Sequence, residues 1–80
     1  MKTYQLIHLL VPCGTNFTPA ALMRRWAKAH NKPCGNGQYF EQYIVIDGKQ
    51  YVYDHYVVRS YLTTGKDAVT LYLTEKEDKV

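Results

Sequence analysis

Apolar positions along the chain keep two different rhythms. From Thr3 to Val11, Leu, Ile and Tyr occupy both faces of a period of two, which predicts a strand covered on both sides and therefore central in its sheet. From Ala20 to His30 the period lengthens to that of a helix. Leu22, Trp26 and Ala29 form the sheet-facing stripe, with Met23 and His30 beside it. Thr18 stands as N-cap and Pro19 at the first helical position, where its missing N–H costs nothing. Asn31, Pro33 and Gly35 stop the helix.

Beyond Gln38 the texture turns β-branched and aromatic. "QYFEQYIVI" and "KQYVYDHYVVRSYL" flank Asp47-Gly48, a strong hairpin signal. "TTGKD" makes the next turn, "AVTLYLT" a short alternating strand, and "EKEDKV" (residues 75–80) a frayed polar tail. The order β-α-β-β-β predicts an α+β single two-layer domain spanning 1–80. One helix packs on a mostly antiparallel, four-stranded sheet.

Two hairpin registers compete. A two-residue turn pairs Ile46 with Lys49 and sets Glu41 against Asp54, an unfavourable match of like charges. A three-residue loop with Gly48 as the bulge pairs Val45 with Lys49 instead. It gathers Phe40, Ile44, Val52, Tyr56 and Val58 on one face and Tyr39, Tyr43, Tyr51 and Tyr53 on the other, with Glu41, Lys49 and His55. The second register is the expected one.

Length changes the picture little: 80 residues suit one domain and one modest core, without room for a deep catalytic cavity. No apolar run approaches the roughly 18 residues of a membrane span. The N-terminal stretch carries a single positive charge, its apolar run is too short and polar for a secretory signal and no A-x-A site follows, so a cytoplasmic location is expected. Charge is more telling. Residues 1–40 hold Lys2, Arg24, Arg25, Lys28 and Lys32 and no carboxylate, whereas all seven carboxylates follow. Arg24, Arg25 and Lys28 share the helix face opposite the apolar stripe, and Lys32 extends it. That pattern predicts a surface for an anionic partner.

The two cysteines sit in twin turns, "PCGTN" and "PCGNG", one at each end of the helix. A zinc clasp built from Cys13, His30, Cys34 and His8 or His55 lacks the close ligand pairs of structural sites, and no metal or cofactor is expected. A disulfide would have to span the helix length. A nucleophile would need a base at a diagnostic spacing, and Asp54 and His55, as strand neighbours, point to opposite faces. Turn chemistry, with each Cys as a small buried apolar residue between Pro and Gly, explains the pair best.

Eight tyrosines are many for this length. Tyr39, Tyr43, Tyr51 and Tyr53 form the expected aromatic contact face, since Tyr supplies rigid area to interfaces and stacking to unpaired bases. With cations and aromatics on opposite sides, the expectation is a small non-enzymatic, inhibitor-type binding protein of the kind carried by phages and mobile elements. Its partner would be a protein or nucleoprotein target, such as a host enzyme. The alternatives are a nucleic-acid-binding regulator using the basic helix, and a small ribonuclease using His8, His30 and His55.

Overall fold

Asp47 and Gly48 both adopt positive φ, 53° and 79°, the backbone of a two-residue type I′ turn. That turn joins β3 (Gln42–Ile46) to β4 (Lys49–Tyr61) and pairs Ile46 with Lys49. The expected three-residue loop is therefore corrected to the two-residue register. The carboxylate clash that argued against this register never forms. The β3–β4 ladder runs only from the turn to Tyr43–Val52, and Asp54 lies beyond it.

The computed structural model describes residues 3–37, 41–61 and 63–76. The remaining elements are β1 (Tyr4–Pro12), α1 (Pro19–Ala29), β2 (Cys34–Asn36) and β5 (Lys66–Glu75). All neighbouring strands are antiparallel, in the order β1-β5-β4-β3-β2. The molecule is thus an α+β domain with one helix and a five-stranded sheet. The fifth strand, β2, falls where a second turn was expected. Cys34-Gly35-Asn36 is extended and pairs with β3, and Tyr43 lies across Gly35, where a Cβ would stand 3.0 Å from the Tyr43 hydroxyl oxygen. Only the first Pro-Cys-Gly is a turn, with Gly14 at φ +80°.

The central position expected for β1 is also corrected: among the described residues it is an edge strand bonded to β5. Its two apolar faces meet different surroundings. Ile7 and Val11 are buried under the helix layer, while Leu6 and Leu10 are exposed on the other side. One helix can cover one face of a sheet, so the second face is left open. Of the expected 75–80 tail, the first two residues are tied to the sheet. Glu75 closes β5 and the Lys76 N–H donates to Gln50 O at 2.8 Å, while 77–80 lie outside the described residues.

Helix α1 begins as expected: Thr18 Oγ1 accepts from the Ala21 N–H at 3.3 Å. It ends in a Schellman motif. Asn31 takes φ 55°, its N–H donates to Lys28 O, and the Lys32 N–H donates to Ala27 O at 2.8 Å. The buried stripe is Leu22, Met23 and Ala27, rotated from the expected one. Trp26 is half-buried, and Ala29 and His30 are exposed. These residues close on Ile7, Val11, Ile44, Ile46, Val69, Leu71 and Leu73, with Leu9, Phe17, Tyr51 and Tyr53 packed at the margin.

One irregularity sets the arrangement of the far half of the sheet. Tyr53 pairs with Leu73 but His55 with Tyr72, so Asp54 is an extra residue, a β-bulge. The bulge exchanges the two sides of β4. Beyond it Tyr56 and Val58 join the helix side, and His55, Val57, Arg59 and Tyr61 face the open side.

Candidate functional site

Ladder partners share a side of the sheet, so the register maps the open face directly. Tyr4, Leu6, His8 and Leu10 of β1 lie beside Thr74, Tyr72, Thr70 and Ala68 of β5. Beyond them come His55, Val57, Arg59 and Tyr61 of β4. Five of these are large apolar or aromatic residues left exposed: Leu10 at 54%, Val57 at 52%, Tyr61, Leu6 and Tyr4. Monomers seldom leave such residues together without a use. Arg59 and Lys66 on this face are exposed as well.

One end of the face is stiffened by aromatic packing. His55 stacks on Tyr72 at 4.4 Å between ring centres, and the Tyr4 ring meets both edge-on, at 5.4 and 5.6 Å. The Asp54 carboxylate lies 2.5 Å from His55 Nδ1. The expectation that these two strand neighbours point apart is corrected, because the bulge at Asp54 breaks the alternation. His8 shares the face and bonds Thr70 Oγ1 through Nδ1 at 3.1 Å. His30 does not: it belongs to the helix layer, stacked on Trp26 at 4.3 Å with Nδ1 against Trp26 O at 2.9 Å. The three histidines therefore do not surround a common point.

The expected aromatic face is not assembled as drawn. Tyr51 and Tyr53 pack half-buried against the core on the helix side. Burial pushes the Tyr53 phenol above its ordinary range, helped by neighbouring Tyr56 and Asp54. Tyr43 lies on the open side, half-buried, with Lys76 Nζ 6.0 Å from its ring centre. Tyr39 lies outside the described residues. Each displacement follows from the corrected register.

The cations of the expected ridge differ in exposure. Arg24, Arg25 and Lys28 are exposed on the outer side of α1, and Lys32 follows, half-buried, in the Schellman turn. Among the described residues, the ion pairs are Lys49–Glu75 and Asp54–His55, and neither involves the ridge.

The cysteines are free, and both are exposed, which corrects the expectation of buried apolar fillers. Cys13 Sγ donates to an Asp67 carboxylate oxygen at 3.2 Å; that bond, with a smaller desolvation and the carboxylate charge, holds the thiol above its usual range. Such a thiol is the opposite of an activated nucleophile. Among the described residues, no three His, Cys, Asp or Glu side chains come together as a cation site. An open, largely apolar cleft of about 340 Å³ lies at the start of α1. Thr18, Pro19, Met23, Glu41, Gln42 and Tyr53 line it, with Glu41 the one carboxylate among them. No described helix is long and apolar enough to cross a membrane.

Leu6, Leu10, Val57 and Tyr61 escape a reading by motif, because each resembles an ordinary strand residue. The signal for them was stoichiometric: a chain with one helix and a strand apolar on both faces must leave apolar surface uncovered. No family model matches the chain, and no curated protein or solved structure matches it either.

Proposed function

We propose that this chain is a small non-enzymatic binding protein that docks a protein or nucleoprotein target through the open face of its sheet. The supporting observation is the uncovered patch of Tyr4, Leu6, Leu10, Val57 and Tyr61. Aliphatic groups at its centre suit a protein surface, where apolar area at the middle of a patch contributes most of the affinity. Arg59 and Lys66 form a polar margin suited to an acidic rim on the partner. The separated histidines and the acid-held Cys13 favour binding over catalysis.

A second reading, a nucleic-acid-binding regulator, is favoured by the ridge of Arg24, Arg25, Lys28 and Lys32, which no described carboxylate offsets. The two faces lie on opposite sides of the domain, so variants separate them. The immobilised chain is used to capture targets from lysate of its source cells, with quantitative mass spectrometry, beside Val57→Lys/Tyr61→Ser and Arg24→Glu/Lys28→Glu. A target retained by the helix variant and lost by the sheet variant is the expected result. Loss from the helix variant alone, with nucleic acid in the captured fraction, favours the regulator. Targets indifferent to both variants contradict both readings.

A further inference from the structure

The two edges of the sheet are built differently. The β2 edge is three residues long, too short to template a neighbour. The β1 edge runs nine residues without a bulge, a lysine or any acid, and among the described residues nothing pairs with its outer side. Natural edges of that length are normally blunted or occupied.

Backbone parity shows what this edge offers. The Cys13 N–H donates to Gly65 O at 2.9 Å, one step past the Pro12–Lys66 pair. N–H and C=O direction alternates along a strand, so Val11, Leu9, Ile7 and Gln5 address β5. Tyr4, Leu6, His8 and Leu10 direct their N–H and C=O groups outward. Pro12 takes the last outward place, where a residue without an N–H is tolerated.

We propose that a second copy of this chain occupies the edge, with the two β1 strands antiparallel about a two-fold axis at His8. In that register Leu6 stands opposite the partner's Leu10 on the open face, and Ile7 opposite the partner's Leu9 on the helix face. Tyr4 meets Pro12, and His8 meets its own copy. Shifting the axis by one residue sets Leu6 against His8 or Pro12, and centring it on Leu6 or Leu10 makes a single leucine pair, whereas the His8-centred register makes two on the open face. No lysine, arginine or carboxylate falls between Tyr4 and Pro12 to oppose itself across the axis, which is the condition an isologous contact imposes. The result is one sheet of ten strands, twice the five of a single chain, with a continuous open face.

The purified chain alone tests this, independently of any target. Sedimentation equilibrium over a dilution series is expected to give twice the mass of one chain, dissociating on dilution. Leu6→Lys/Leu10→Lys changes two exposed side chains, so the circular dichroism spectrum stays native. Its dimer is expected to weaken by more than about tenfold, because like charges then face each other across the axis. Leu6→Glu/Leu10→Glu weakens it similarly. An equal mixture of the two variants is expected to form a mixed dimer in native mass spectrometry, because each lysine now meets a glutamate. A single-chain mass at every concentration overturns the proposal, and so does a lysine variant as dimeric as the parent. Absence of the mixed dimer overturns the register.

Discussion

The Cys13 thiol faces an anionic acceptor, the Asp67 carboxylate, and that contact keeps the proton on sulfur. Its linkage to stability has a definite sign. A thiol held above its unfolded pKa stabilises the fold while protonated, below the unfolded value, and that contribution disappears as pH climbs through the folded value. Alkylation by iodoacetamide, followed against pH at Cys13, is expected to reach its midpoint at lower pH in Asp67→Asn than in the parent chain. An unchanged midpoint would show that the carboxylate does not control this sulfur. Asp54 acts at the same scale with a wider effect. As the extra residue of a bulge, it turns His55 onto Tyr72 and moves Val57 and Tyr61 to the open side. Nothing in "YDHY" announces a bulge, because Asp54 is displaced by how β4 meets β5, a pairing that the local pattern of either strand does not carry.

The elements themselves were largely written in the chain. The Thr18 cap, Pro19 and Asn31 bound α1 by local chemistry, and Asp47-Gly48 marks its hairpin for the same reason. Register was harder, since it turned on a Glu41–Asp54 opposition that a truncated ladder removes. Strand β2 is too short to show a period, and β1 carries the pattern of a central strand at an edge. The turn chemistry makes a stability prediction. Gly48 at φ 79° admits a side chain only with strain, so Gly48→Ala should lower unfolding free energy by about 1–2 kcal/mol. Asp47→Asn, which supplies the preferred partner of glycine in a type I′ turn, should leave it unchanged or slightly higher. Urea unfolding reads both. A harmless Gly48→Ala would mean the hairpin does not need this turn.

For the molecule as a whole, one helix on five strands divides the surface into two unlike halves. The helix side carries a ridge of like charges over a packed core. The other side presents Leu6, Leu10, Val57 and Tyr61 to solvent, fixed on three hydrogen-bonded strands. A rigid, preformed apolar patch loses little freedom on docking, whereas long cationic side chains must be ordered to bind. The sheet face is thus the stronger candidate for the contact that defines this protein. The ridge served as the leading candidate in the sequence because charge is countable there, while exposure depends on which face the helix leaves bare.

Hydroxyl-radical footprinting of the chain with its captured target tests that assignment most directly, read peptide by peptide by mass spectrometry. Labelling of Val57 and Tyr61 is expected to fall on binding, while Trp26 and His30 of the helix layer keep the labelling of the free chain. Unchanged labelling of Val57 and Tyr61, with protection confined to the helix, would contradict the account.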